Sequence, residues 1–251
     1  MDYSLDILVQ GYPGKSVCHG GLGWSSIALL RGGGHVALID VGTFSHRTSL
    51  IAGLARHGLA PEQVTDVILT HAHHDHAINW VLFDRARIWI GDAELDWAAN
   101  EPWGRTPVPE LYIRELRGAA TLNRVRDGQE VLPGLVAHDA PGHTPGHMMF
   151  VLHGTDRDVI FTGDAAKNRA ELLTRSADMT YDAAVTAATI ERMWELWRRR
   201  PGTMLVPGHD LPMILDPDGR PIFVGIREAA ITAWFDDDLE TTTRFELTVR
   251  H

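Results

Sequence analysis

The stretch "ILTHAHHDHAINW", residues 68 to 80, places four histidines and one aspartate within the six positions His71 to His76. It runs straight on from "VTDVILT", a β-branched run that reads as a strand. Four imidazoles beside a carboxylate cannot be packed away, because each buried polar ring needs a partner. The fold must therefore present this strand end as a polar cluster, and metal binding is the chemistry that employs such a cluster. If the backbone stays extended here, His71 and His73 point the same way, since alternate residues share a face. They can then share one cation. Asp75 and His76 follow once a turn begins, and can face a second cation close by.

Three further clusters each lie just past a strand-like run: His143 and His147 in "PGHTPGH", Asp164 in "IFTGD", and His209 in "LVPGHD". Strand ends are where side chains far apart in sequence converge on one rigid site. Neutral imidazoles and carboxylates suit borderline cations such as Zn²⁺. His143 and His209 each offer one more nitrogen, and Asp164 can bridge with its two oxygens. A histidine in "PGHD" taken alone is more often a turn residue than a ligand; the 71–76 cluster is what gives it weight.

Around these points the chain alternates. "SSIALLRGGGHVALIDVG" reads as two strands joined by a glycine turn. "SHRTSLIAGLARHGL" has helical spacing, with Leu50, Ile51, Leu54 and Ala55 on one face. "ARIWIGD" is a strand leading into a helix at "AELDWAAN". Residues 99 to 117 carry three prolines and read as an irregular, pocket-lining insertion. "VLPGLVAHDA", "HMMFVLHG" and "DVIFTGD" are strands. "YDAAVTAATIERMWELWRRR" is an amphipathic helix with Val185, Ile190, Met193, Trp194 and Trp197 on its apolar face and a basic last turn. "TMLVPGHD" is a final inner strand, and "TTTRFELTVRH" an edge strand. Strands, helix and strand occur twice, so two similar halves are expected. The closed arrangement is a four-layer αββα sandwich, an α+β fold, over one domain, 1–251.

Composition narrows the partners. The net charge is −10, and "WRRR" is the only basic cluster, so a nucleic-acid or anionic-membrane surface is not expected. The N-terminus lacks a basic segment followed by an apolar run, no stretch is apolar enough to span a membrane, and Cys18 is the only cysteine. A cytoplasmic protein with a small-molecule substrate is expected. Cys18 itself reads as incidental. Trp24 and Trp103 fall in loops and could line an apolar pocket or simply pack.

"HAHHDH", followed in order by "PGHTPGH", "TGD" and "PGHD", resembles the HxHxDH pattern and later motifs of the metallo-β-lactamase superfamily. The chain looks most like the quorum-quenching N-acyl homoserine lactonases and related small lactonases. The resemblance implies His71, His73 and His143 on one metal, Asp75, His76 and His209 on the second, and Asp164 between them. His147 becomes a supporting residue, and His74 is left over, facing substrate or packed beside the site. It implies two divalent cations, Zn²⁺ first with Fe, Mn or Co as alternatives. The expected reaction is the opening of a lactone or related cyclic ester or amide by a metal-bridging hydroxide, with Asp75 as proton shuttle. A homodimer is expected by analogy only. The same ligand set also serves metal-dependent phosphodiesterases and nucleases, the alternative reading.

One position departs from the lactonase pattern. Those enzymes usually carry a tyrosine three residues after the bridging aspartate, near the substrate carbonyl; here it is Lys167. An ammonium there could assist at the oxyanion, or select a substrate with an acidic group, or point to solvent.

Overall fold

A computed structural model describes residues 3–18 and 20–248. The chain opens with β1 (Ser4–Val9) and a short pair, β2 (Lys15–Ser16) and β3 (Gly20–Gly21). Then come β4 (Ile27–Gly32), β5 (His35–Ile39), α1 (Arg47–Arg56), β6 (Asp66–Ile68), α2 (His74–Ala77), β7 (Arg87–Gly91), α3 (Asp92–Asn100), α4 (Glu110–Gly118) and β8 (Leu122–Val125). The second half holds β9 (Glu130–Leu132), β10 (Leu135–Asp139), β11 (Met148–His153), β12 (Asp158–Gly163), α5 (Arg169–Thr174), α6 (Ala183–Arg199), β13 (Met204–Pro207), β14 (Met213–Leu215) and β15 (Pro221–Phe223). A hairpin, β16 (Ala230–Ala233) with β17 (Thr243–Glu246), comes last.

Two sheets form, in the orders β1-β4-β5-β6-β7-β8 and β15-β14-β13-β12-β11-β10-β9. Strands β5 to β8 run parallel, as do β12 and β13, so β6, β12 and β13 end on the same side of the sandwich as the candidate site residues. Three apolar clusters mark the three seams between four layers. Leu50 and Leu54 of α1, Leu95 of α3 and Ile113 and Leu116 of α4 pack on Leu29, Leu38, Val67 and Ile88 of the first sheet. Ile39, Ile68 and Trp89 meet Phe150, Phe161 and Val206 between the sheets. Ile190, Met193, Trp194 and Trp197 of α6 cover Met149, Ile160 and Leu205 of the second. The αββα sandwich is present as expected.

Three local expectations need correction. The proline-rich insertion contains a helix, α4, because Pro109 sits at its N-terminus, where a missing N–H costs nothing, and Ile113 and Leu116 then fall on one face. Ile51, Ala55 and Val185 flank their helices' buried faces; Ala55 is exposed, and Ile51 and Val185 are 42% and 39% exposed. The C-terminal strand pairs with β16 alone, so it edges neither main sheet; residues 249–251 of that stretch lie outside the described residues. Among the described residues, no helix is long and apolar enough to cross a membrane.

Candidate metal centre

The chain leaves β6 in extended form through His71 and His73, then turns into α2 at His74. His71 and His73 come from the stretch before the turn and Asp75 and His76 from the turn itself, yet the His71 and His76 rings lie 4.2 Å apart, so the two sets adjoin. His143 arrives from the β10–β11 loop, Asp164 just past β12, and His209 just past β13. Gly208 lets the last loop come in close, since a Cβ there would strike Asp164 Oδ1 and lie 2.7 Å from Gly163 O.

Three groups of possible ligand atoms result: His71 with His73 and His143, Asp75 with His76 and His209, and, linking them, His71 with His76 and Asp164. In the first, His143 Nε2 lies 3.0 Å from His73 Nδ1. In the second, His76 Nε2 and His209 Nε2 are 3.3 Å apart, and Asp75 Oδ2 is 3.6 and 3.3 Å from them. Asp164 reaches both groups with different oxygens: Oδ2 is 3.4 Å from His143 Nε2, while Oδ1 is 3.1 Å from His76 Nε2 and 3.2 Å from His209 Nε2. Four ligands at the Zn–N distance of about 2.0–2.1 Å stand about 3.3 Å from one another in a tetrahedron. The observed edges match that spacing. His71 Nε2 is buried without a hydrogen-bond partner among the described residues, which is the state of a lone pair kept for a cation. The donor set fits a divalent metal.

The two groups differ electrostatically. Burial holds His71 and His143 well below the ordinary imidazole pKa and pushes His73 down to about 4. These rings are neutral with lone pairs available. Burial also acts on His76 and His209, but Asp164, Asp75 and, for His76, Asp40 outweigh it; His76 rises well above its ordinary value and His209 to about 9. Against the pull of burial, His76 and His209 hold Asp75 below the usual carboxylate range. Protons on two imidazoles here balance charge that a cation would balance.

Two supporting carboxylates carry no signal in the sequence. Asp40, at the end of β5, accepts His76 Nδ1 at 2.8 Å and Thr70 N and Oγ1 at 2.8 and 2.9 Å. It fixes the tautomer that leaves His76 Nε2 facing the cluster. Its φ of +56° is tolerated best by Asp and Asn among residues with a side chain. Glu94, fully buried in α3, accepts Ala72 N at 2.8 Å, Thr144 Oγ1 at 2.7 Å and Gly146 N at 3.2 Å. It thus ties the His71–His73 segment to the His143 loop. Burial pushes its carboxyl up to about 7 against the pull of those donors. In sequence Asp40 looks only like a strand terminator, and Glu94 has no marker beyond its helix.

The remaining candidates divide. His147 accepts Asp164 N at 3.1 Å through Nε2, and its ring stacks on His71. His74 is exposed, with Nδ1 3.3 Å from Thr43 Oγ1 and its N–H on Pro107 O, beside the cluster. Trp24 stacks on Tyr12, and Trp103 is capped by Arg114. The ring wall beside His73 is instead Trp97, with Tyr181 against it. Lys167 does not point to solvent: its side chain is 14% exposed, with Nζ 3.0 Å from Glu171 Oε1 and 2.6 Å from Asp178 O.

A four-layer sandwich with a histidine and carboxylate cluster at its strand ends defines a metallohydrolase fold. Residues 20–219 match the metallo-beta-lactamase superfamily, and the chain belongs to it. An N-acyl homoserine lactonase from a Bacillus species is 27% identical over 161 residues, 63% of this chain and 60% of that protein. Metallo-beta-lactamase domain-containing protein 1 of Xenopus laevis is 38% identical over 170 residues, 64% of this chain and 63% of that protein. This chain therefore spans less than two thirds of the length of the curated relatives it matches. A solved dizinc quorum-quenching lactonase in complex with a product superposes with a TM-score of 0.67 at 17% identity, covering 81% of this chain and 80% of that one, a likeness of fold.

Proposed function

We propose that the protein opens a lactone or a related cyclic ester or amide with two divalent cations, Zn²⁺ in the first instance, acting on a small-molecule substrate. The observation that carries this reading is Asp164, whose two oxygens face two separate ligand groups. His71, His73 and His143 would hold one cation, Asp75, His76 and His209 the other, with Asp164 shared between them. When bound, a cation pair supplies Lewis acidity and lowers the pKa of bound water towards neutrality.

The chain's own groups do the rest. Asp75 is held ionised by His76 and His209 against the pull of burial, so its carboxylate can accept a hydrogen bond from water and orient it. Asp40 keeps the His76 Nε2 lone pair turned inward, and Glu94 keeps the His143 loop in register with His71 and His73. The lactonase relatives and a net charge of −10 support hydrolysis of a cyclic ester over phosphodiester cleavage, which the ligand set would serve equally.

The test is a metal count and a substrate panel. Protein loaded with Zn²⁺ is expected to hold two ions per chain and to turn over lactones, with activity lost on chelation and in His76→Ala. Turnover of bis(p-nitrophenyl) phosphate alone would overturn the lactonase reading. One ion per chain would overturn the dinuclear arrangement.

A further inference from the structure

Lys167 stands where lactonase relatives carry a tyrosine, and its surroundings give it a different task. Its ammonium lies between Glu171 Oε1, at 3.0 Å, and Asp178 O, at 2.6 Å. Glu171 in turn accepts Asp178 N at 3.1 Å and Lys167 N at 2.8 Å. The pair thus binds both backbone groups of one residue, Asp178. The Asp178 carboxylate is taken by Lys15, the first residue of β2. The next residue, Met179, has φ +50°, a left-handed conformation that a non-glycine residue keeps only where its neighbours hold it.

Beyond Met179 the chain forms the site wall. Thr180 Oγ1 donates to Gly142 O at 2.8 Å, and Tyr181 N donates to the carbonyl of His143 at 3.2 Å. The Tyr181 ring is 63% exposed and meets Trp97 edge-on at 6.0 Å; Trp97 meets His73 edge-on at 6.2 Å. The phenol makes no hydrogen bond to the described residues, so it is available to a ligand beside His73 and His143.

We infer that the Lys167–Glu171 pair is a latch holding residues 176–182 over the metal centre, and that Tyr181, on the held segment, is the group that faces substrate. Lys167 is then a positioning residue, and its charge does not select the ligand. Glu171 pairs with Lys167 inside the fold, so that ammonium is not free for a substrate carboxylate, while the Lys15–Asp178 pair stands at the surface. Trp97 and Tyr181 offer a ligand an aromatic face, and the Tyr181 hydroxyl a hydrogen bond. The acidic substrate that Lys167 suggests in the sequence has no counterpart in this arrangement. The inference rests on the hydrolase reading for its substrate arm only.

The test uses the full-length, metal-loaded protein. Hydrogen exchange over 176–182 reads the latch without any substrate. Lys167→Met is expected to speed exchange there about tenfold or more, with metal content unchanged. For a neutral lactone, its KM is expected to rise about tenfold while kcat stays within about threefold. Tyr181→Ala should reproduce the KM change without the exchange change. Glu171→Gln breaks the same latch while sparing the ammonium, and should loosen the segment even if Lys167→Met fails to fold. Unchanged exchange in Glu171→Gln, or a loss of kcat of about 100-fold in Lys167→Met with exchange unchanged, would overturn the latch. An unchanged KM in Tyr181→Ala would overturn its substrate-facing role. If no lactone is turned over at all while the exchange results hold, the hydrolase reading fails and the latch stands.

Discussion

One added methyl group at Gly146 tests how tightly the first ligand group is held. A Cβ there would lie 2.5 Å from Ala93 C and from Glu94 Cα, both backbone atoms of α3 that cannot swing aside. Ordinary carbon contacts start near about 3.5 Å, so the loop carrying His143 must withdraw by about 1 Å. The bonds from Thr144 Oγ1 and Gly146 N to Glu94, now 2.7 and 3.2 Å, would then stretch beyond hydrogen-bonding range. With its carboxyl raised to about 7, Glu94 is only part-ionised at neutral pH, so each bond contributes about 1–3 kcal/mol and Gly146→Ala should lose about 2–6 kcal/mol of folding free energy. The 3.0 Å separation of His143 Nε2 and His73 Nδ1 would open past the span of one tetrahedral cation, and affinity at that group should fall about 100-fold. Urea unfolding in chelator reads the first quantity, and titration of Zn²⁺ against a chromophoric chelator reads the second. Gly118→Ala, at the end of α4 with nothing within 4 Å of the new Cβ, is the control and should be neutral or slightly stabilising. A Gly146→Ala protein within about 1 kcal/mol of wild type, with ordinary Zn²⁺ affinity, would refute the reasoning.

The same geometry sets other outcomes. Asp40→Asn keeps a residue suited to φ +56° but weakens the contact to His76 Nδ1, so cation affinity should drop about 10–100-fold with the fold intact; an unchanged titration would remove Asp40 from the site's support. His209 is raised to about 9 in the fold, so its contribution to the metal-free protein is complete below its unfolded value, near 6.5, and is lost as pH climbs through 9. That amounts to about 3 kcal/mol, and urea midpoints in chelator at pH 6.5 and 9 should show a decline in wild type that is smaller in His209→Gln, where the raised His76 still titrates. Chelation at neutral pH should lower the melting temperature by about 10 °C, read by calorimetry, if cations sit about 1,000-fold above their Kd.

The cluster of candidate ligands was legible because its first four members are local: a run of chain through His73, then a turn, is written in six residues. The layers were legible because apolar periodicity survives burial, as in α6. Other features lie between segments and leave no such mark. Nothing near Glu94 in sequence announces that it receives donors from residues 72, 144 and 146. The helix at 110–118 was hidden by prolines that mark its start rather than its absence. Lys167 was legible as a departure from a pattern, but its ties to Glu171 and Asp178 depend on how a loop about ten residues later folds back.

The placement of the ligands has a mechanical side. His71, His73, Asp75 and His76 hang from the first sheet, while His143, Asp164 and His209 hang from the second. Bound ions would therefore act as a clasp between two halves of a chain with a single cysteine, where no internal disulfide can do that work. Such a clasp opens and closes with the local supply of metal. The lifetime of the folded protein, as well as its activity, would then track that supply, and starvation for the ion would expose it to proteolysis.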